Sequence, residues 1–488
     1  MANENNFQEL ISHCKEYGYI FPSSEIYDGL SAVYDYGQNG AQLKKNIRDY
    51  WWKSMTQLNE NIVGIDAAIF MHPTTWKASG HVDNFSDPMI DNKDSKKRYR
   101  VDHLIEAFAE ELKAQGSSNK AQEVLDSMDA LLAKDDFAGL KKLIDDNKIT
   151  CAISKTCNWT DVRQFNLMFS TEFGSTVSAD DEDNKVYLRP ETAQGIFVNF
   201  LNVQKTGRMK IPFGIAQTGK AFRNEIVARQ FIFRMREFEQ MEMQFFIRPG
   251  TQMEWYNYWK AERKKWHESL GIPAEKLRFH DHIKLAHYAD AALDIEFEFP
   301  FGWKELEGIH SRTDFDLKNH QLYSKKKMQY FDNDLDENGK PYGNYIPYVV
   351  ETSVGLDRLF LTIISLAYAE EKWTKEDGTE DSRVVLRIPA KIAPVKLAIL
   401  PLVKKDGLPE IAKELMNECK QFFHCFYEEK DAIGKRYRRM DAIGTPFCVT
   451  IDHQTKEDNM VTIRYRDTMT QERIPLAKVK ELVLEKIS

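Results

Sequence analysis

Long apolar runs are missing from this chain of 488 residues. The nearest approaches, such as Leu359 to Ala369, are interrupted by polar residues and too short to span a bilayer, which excludes a helical membrane protein. Cysteine is scarce and scattered: Cys14, Cys151, Cys157, Cys419, Cys425 and Cys448 lack the spacing of a disulfide framework. Cys151 and Cys157 have no second Cys or His pair nearby, so a reduced, unliganded pair is expected ahead of zinc ligation, which stays open. Cys419 and Cys425 read as packing residues on one helix. The first ten residues are polar and acidic, without the basic and apolar regions of a signal peptide. A cytoplasmic protein is expected. There is also no internal repeat, no Walker loop and no dinucleotide fingerprint.

What is present is an ordinary globular composition in a chain long enough for two or three domains. The net charge of −8 argues against a nucleic-acid partner until its distribution is considered. From Arg383 to Ser488 there are 20 Lys+Arg against 15 Asp+Glu, and the remainder carries 47 against 60. A basic terminal module touching a phosphate-rich partner fits that balance, and so does a solvated charged surface.

Helical periodicity opens the chain, Tyr34 to Gly40 reads as a loop, and Ala41 to Leu58 reads as a long helix in which Leu43, Ile47, Tyr50, Trp51, Met55 and Leu58 recur at helical spacing. Ile62 to Met71 reads as a short strand ending at His72-Pro73. Residues 95–150 are charged, rich in alanine and lysine and helical in period, the mark of an insertion. Strand-like texture runs from Val186 to Phe246, helix over 251–290, and strands over 291–315. Lys325 to Tyr345 is a loop or hairpin, Ile346 to Val350 a strand, Gly355 to Ala369 an apolar helix, and Glu370 to Asp381 a linker. Beyond it, Val395–Leu402, Phe447–Ile451 and Met460–Tyr465 read as strands around a helix at 408–427, a small α/β domain.

The chemistry concentrates in Phe222-Arg223-Asn224-Glu225 with Phe231 to Phe238, and again in Gly355-Leu356-Asp357-Arg358. Two arginine-bearing elements, one ending in an aromatic, suit a bent nucleotide triphosphate: guanidinium grips phosphate bidentately and keeps its charge, and a ring offers a face to the purine. These segments resemble motifs 2 and 3 of class II aminoacyl-tRNA synthetases. Further segments sharpen the resemblance to the homodimeric type of glycyl-tRNA synthetase: Tyr34-Asp35-Tyr36-Gly37, Lys77 to Val82, Arg163 to Phe169, Leu188 to Gly195, Glu305 to Ile309, Glu351 to Arg358, Ile433 to Arg439 and Arg464 to Thr468. They are spread over nearly the whole length, the insertion excepted.

The resemblance implies an α+β fold: a class II antiparallel sheet flanked by helices, a helical insertion, and a C-terminal α/β anticodon-binding domain. The implied domains are a catalytic domain over 1–94 and 161–382, interrupted by the insertion at 95–160, and an anticodon domain over 383–488. It implies ATP, Mg²⁺, glycine and tRNA(Gly) as ligands, a homodimer, and no membrane. Arg223 would hold the α-phosphate and Arg358 the γ-phosphate, the two residues carrying catalysis, with Glu225 near the adenine end and Asn224 also in the ATP site. Phe233, Arg234, Met235, Arg236, Glu237 and Phe238 complete the motif 2 side of the ATP site, Phe238 against the adenine face, a contact of roughly 1–3 kcal/mol by analogy with base–aromatic stacking. Glu305, Leu306, Gly355, Leu356 and Asp357 complete the other side, and Glu305 and Glu351 are the implied Mg²⁺ ligands.

For glycine the resemblance implies Glu191, Glu242, Glu351 and Ser353 around the ammonium, together with Phe238, Glu239, Gln240, Met241, Thr352, Val354 and Gly355. Arg100 would face the carboxylate. Crowded carboxylates repel one another unless a cation sits among them, which a glycine ammonium supplies. A small site excludes alanine sterically, so no hydrolytic editing is needed. Lys435, Arg436, Arg438, Arg439, Arg464 and Arg466 are the implied anticodon contacts, basic groups interleaved with aromatics. His72, His81 and His310 stand beside Pro, Gly and Ser, and a structural or binding role is expected for each. Motif 1, the helix at 41–58 and the strand after it, is the implied subunit interface, although a buried core helix has the same pattern. Two departures stand out: Gln38-Asn39 replaces a frequent Pro-Leu, and a frequent cysteine-pair motif near residue 155 is absent. The rivals are a class II synthetase for another amino acid and a catalytically silent relative that only binds nucleic acid.

Overall fold

The computed structural model describes residues 2–172, 185–225, 230–282, 285, 289–374 and 378–488. Two compact units divide the chain: residues 1–68, 191–221 and 229–488 form one, and 69–190 with 222–228 form the other.

The larger unit is built on seven strands: β1 (Ile62–Ile65), β2 (Phe213–Phe222), β3 (Glu237–Ile247), β4 (Leu277–Asp281), β5 (Ala291–Phe299), β6 (Gly302–Thr313) and β7 (Tyr348–Gly355). Their spatial order is β4-β5-β6-β7-β3-β2-β1. Pairing is antiparallel from β4 through β3 and parallel where β1 joins β2. Strand alternation decides what each face carries. Met241, Met243, Phe245 and Ile247 enter the main core, whereas Phe246 joins a separate cluster on the opposite face, the face that Gln240, Glu242 and Gln244 share by alternation.

Of the helices, α1 (Gln38–Thr56), α2 (Ala193–Thr206), α3 (Gln252–Ser269) and α4 (Leu356–Ala367) position the sheet. Leu43, Ile47, Trp51 and Met55 of α1 pack into the main core with Trp259 of α3 and Phe360 of α4. Burying each of the larger side chains contributes about 1.5–3 kcal/mol. On the opposite face Ile196, Phe197 and Phe200 of α2 meet Phe213, Ile215 and Phe246.

The C-terminal part of this unit has its own core and sheet: β8 (Leu397–Pro401), β9 (Cys425–Tyr427), β10 (Phe447–Ile451), β11 (Met460–Tyr465) and β12 (Gln471–Pro475), in the order β9-β8-β10-β11-β12. Helix α5 (Ile433–Ala442) carries the basic run. In the smaller unit a three-stranded sheet (Ser86–Asn92, Lys97–Arg100 and Arg163–Asn166) accompanies helices Val101–Ala114, Ser118–Leu132 and Phe137–Asp146 around Ile105, Leu140, Ile144 and Trp159.

Several elements differ from the sequence expectation. Helix α1 begins at Gln38, inside the expected loop. A Cβ on Gly40 would sit 1.9 Å from the carbonyl oxygen of Tyr19, so only glycine lets this first turn press against that backbone. Helix α2 lies within the stretch read as strand, because its Phe, Ile and Val residues mimic strand composition while sitting at helical spacing. Strand β1 stops at Ile65, short of Met71. Helix α3 ends at Ser269, just before Gly271 at φ +86° and Pro273, and β4 follows where helix was expected. The expected helix at 408–427 ends at Cys419, leaving Cys425 on a strand. The expected linker Glu370 to Asp381 belongs to a hairpin, Tyr368–Thr374 with Glu380–Leu386, its residues 375–377 lying outside the described residues.

Candidate active site

The sheet register assembles a polar patch on the face opposite the main core. Glu242 lies opposite Ser353, Gln244 opposite Glu351, His310 opposite Glu351, and Gly308 opposite Ser353. Three neighbouring strands therefore present acids, amides and a hydroxyl at every second position. The Gln244 amide joins the two buried carboxyls, donating to Glu242 Oε1 (2.7 Å) and Glu351 Oε2 (2.6 Å). Thr192 donates its hydroxyl to Glu242 Oε2, and Gln194 donates to Glu191 Oε1 (3.1 Å). Gln240 donates to Ser353 Oγ (3.4 Å).

The two buried carboxyls are driven apart. Burial raises the Glu242 carboxyl well above its ordinary value, and the charges of Glu351 and Glu191 add to that rise. Burial acts the same way on Glu351, but the Arg312 guanidinium and the His310 hydrogen bond outweigh it and hold Glu351 well below the usual range. Glu351 accepts from His310 Nδ1 (2.8 Å) and Arg312 Nη1 (2.9 Å). Arg312 also pairs with Asp316 (2.9 Å), which accepts from Gln194 (2.9 Å). The result is a cup of crowded carboxyls in which Glu242 is shifted toward its protonated form and Glu351 toward its ionised form.

Beside it, Arg358 in the first turn of α4 pairs with Glu305 Oε2 (2.8 Å) and lies over the Phe233 ring, 4.5 Å from its centroid. Phe238 is partly buried against the main core. Glu237 pairs with Lys220 (2.8 Å), Arg236 donates to the Ser31 carbonyl (3.1 Å), and Arg234 is half-buried.

Other expected site residues face inward. Met235, Met241, Leu306, Val354 and Leu356 belong to the main core, and Thr352 is fully buried on the same side by strand alternation. Their side chains line no open site; they shape it from behind. Asp357 is buried and accepts from Lys44 (2.6 Å), Tyr36 and the Glu239 amide (2.7 Å). Glu239 pairs with Arg48 (2.7 Å). These two acids are internal anchors in place of direct ligand contacts.

In the smaller unit, Arg223 donates to the Pro190 carbonyl (3.1 Å) with its guanidinium over Phe85, and the Asn224 amide donates to Leu167 (2.8 Å). The Glu225 amide donates to the Arg223 carbonyl (2.7 Å). Arg100 is held by Asp87 (3.2 Å) and Asp102 (2.5 Å). Of the histidines, His81 bonds Ser79 (2.8 Å) and His72 caps the helix Pro73–Ala78.

Metal fit differs between the two expected ligands. Glu305 keeps a half-exposed carboxylate, a hard oxygen donor suited to Mg²⁺. Glu351 does not fit, since both its oxygens receive hydrogen bonds from protein donors. Among the described residues no group of three or more His, Cys, Asp or Glu could hold a metal ion. Cys151 is buried and its sulfur shares hydrogen bonds with the hydroxyls of Tyr99 (3.1 Å) and Ser95 (3.3 Å), whereas Cys157 is exposed.

The basic cluster splits by burial. Arg436 is 1% exposed and donates to the carbonyls of Pro401, Leu402 and Glu428. Arg464 pairs with buried Asp441 (2.7 Å), and Arg466 donates to the Ile388 and Gly444 carbonyls. These three brace the domain from within and cannot reach a nucleic acid. Lys435 and Arg438 are exposed and Arg439 half-buried.

Sequence reasoning missed Thr192, Gln244, Arg312 and Asp316 as members of the site. The signal was present for two of them: Gln244 and Arg312 continue the every-second-residue polar alternation of β3 and β6.

Comparisons with known proteins bear on the whole arrangement. Residues 396–486 match the family description "Anticodon binding domain", and residues 87–125 and 113–167 match "Glycyl-tRNA synthetase insertion domain 1". The chain is 53% identical over 481 residues to a glycine–tRNA ligase of Chlorobaculum tepidum, covering 98% of this chain and 99% of that protein. It is 51% identical to a glycine–tRNA ligase of Treponema denticola (96% and 94% covered) and 50% identical to one of Macrococcus caseolyticus (99% and 99%).

Proposed function

The chain belongs to the glycine–tRNA ligase family, and from that premise we propose how its residues divide the reaction. Glycine is activated with ATP to glycyl-adenylate, pyrophosphate leaves, and the glycyl group passes to the 3′ end of tRNA(Gly). The nucleophile of the first step is the amino acid's own ionised carboxylate, so no activated serine or general base is required. The protein's work is alignment and charge neutralisation around the α-phosphorus.

Arg223 and Arg358 neutralise the phosphates, with Arg234 assisting and Phe238 stacking on adenine. Glu305 would hold Mg²⁺, which would supply positive charge to offset that of the pyrophosphate leaving group. The cup of Glu191, Glu242, Glu351 and Ser353 receives the ammonium, and Arg312 orders Glu351 within it. The ammonium, a cation among these acids, favours the ionised form of Glu242, which burial and its acidic neighbours disfavour in the empty cup. Lys435, Arg438 and Arg439 serve the anticodon. The domain plan is a catalytic domain (1–94 and 161–382), an insertion at 95–160, and an anticodon domain from 383 onward. A homodimer is proposed through α1 and the edge strand β1. A cytoplasmic location is proposed; among the described residues no helix is long and apolar enough to cross a membrane.

The observation that most supports glycine as the substrate is the crowded carboxyl pair bridged by Gln244, a cramped site for a small cation. Pyrophosphate exchange with ATP and each amino acid in turn tests it. Exchange is expected with glycine alone; exchange with another amino acid in its place would end the assignment.

A further inference from the structure

We propose that Tyr36, Lys44 and Asp357 form a lock that sets where Arg358 stands relative to β3, making them positioning residues for adenylate formation. The proposal rests on the reaction assigned above and deepens it.

Asp357 and Arg358 are adjacent in the first turn of α4, yet they diverge. Arg358 reaches Glu305 and the Phe233 ring. Asp357 turns inward, where one carboxylate gathers four elements. Its Oδ1 accepts from Lys44 Nζ of α1 (2.6 Å) and from the Tyr36 hydroxyl of the strand Tyr34–Tyr36. Its Oδ2 accepts the Glu239 amide of β3 (2.7 Å). The Lys44 ammonium stands 3.4 Å from Glu239 Oε2 and 4.3 Å over the Tyr36 ring, and Arg48 holds Glu239 Oε1. Two cations thus meet two anions in a paired cluster, buried except at the partly exposed Arg48, the kind of arrangement that keeps one geometry because alternatives strand the buried charges. Burial, reinforced by the Asp357 charge, raises the Tyr36 phenol well above its ordinary value and keeps it a donor. A carboxylate at the α4 N-terminus is further favoured by the helix dipole.

The consequence is geometric. The backbone at Arg358 is tied to β3 at Glu239, next to Phe238, the residue assigned to adenine. A misplacement of about 1 Å at a reacting centre costs on the order of a hundredfold in rate.

The test uses the full chain with Tyr36→Phe, which keeps the ring's packing, and Asp357→Asn, which keeps an acceptor for the Glu239 amide. Pyrophosphate exchange is measured across glycine and ATP concentrations, with a thermal melt of each variant. The expected result is a fall in kcat of about tenfold or more for Tyr36→Phe, at unchanged glycine KM and a thermal midpoint within a few degrees of the parent. Should Asp357→Asn fail to fold, Tyr36→Phe decides alone. A kcat within twofold of the parent would overturn the lock, as would a glycine KM rising in step with the loss. A parent protein without glycine-dependent exchange would overturn the underlying reaction instead.

Discussion

At the scale of single residues, the carboxyl of Glu242 carries the sharpest consequences. Its folded value is raised by burial and by the neighbouring acids. The unfolded chain releases this proton near pH 4.3, while the folded chain retains it to higher pH. The folded state therefore binds more protons in that window. The stability that Glu242 contributes is full below about pH 4.3 and is lost as pH rises through the folded value. Glu242→Gln should flatten this part of the stability profile and leave the unliganded protein at least as stable at neutral pH in urea melts. The same change should raise the glycine KM at least tenfold, because the entering ammonium loses a counter-charge. Calorimetry of the parent in buffers of different ionisation enthalpy should register proton release on glycine binding; no difference between buffers would refute the protonated cup. Arg358→Ala is expected to cut pyrophosphate exchange by about a hundredfold or more, as removal of one preorganised charge commonly does, with tRNA retention on filters nearly unchanged.

Single elements explain why the basic run of α5 is not uniform. The helix turns Arg436 inward to three carbonyls and leaves Lys435 and Arg438 outside. Its last turn supplies Asp441, which holds Arg464 on β11 and Arg383 on the hairpin Glu380–Leu386 (2.8 Å). Asp441→Ala strands the buried Arg464 guanidinium, while Arg383 keeps Glu371 (2.7 Å), and should cost about 3–5 kcal/mol in denaturant unfolding. Lys435→Ala should change stability by less than about 0.5 kcal/mol while weakening tRNA binding and shallowing its salt dependence. If Lys435→Ala left binding untouched, the exposed face of α5 would not be the tRNA contact. The run Lys435 to Arg439 was legible as basic, but which of its members are structural depends on strands far away in sequence.

The whole molecule couples folding to acid through buried histidines. His13, His267 and His320 are each held below the ordinary value, burial being the leading cause in all three. The unfolded chain gains a proton at each near pH 6.5 and the folded chain resists it. Their contribution is present above pH 6.5 and is lost as pH falls through the folded values. His310 acts in the opposite sense, since Glu351 raises it despite its burial. In Glu242→Gln, which removes the opposing contribution of that carboxyl, three rings against one should make the urea midpoint fall between pH 7 and pH 5. A flat or rising midpoint would contradict the burial of these rings. The proposed homodimer predicts a sedimenting species of twice the chain mass, persisting on dilution.

Composition, spacing and motif resemblance by themselves determined the reaction class, the antiparallel architecture and the identity of the arginine-bearing segments, because those signals are local and need particular residue types at fixed intervals. Glu242 and Glu351 could be named in the same way. Tertiary structure alone decided that the Glu242 carboxyl is raised while that of Glu351 is lowered, that Asp357 faces Lys44 and Tyr36 in place of a nucleotide, and that Arg436, Arg464 and Arg466 are internal braces. The physical reason is common to all of these. Charge state and orientation depend on which distant strands and helices lie within a few ångströms, and a linear sequence does not contain those distances.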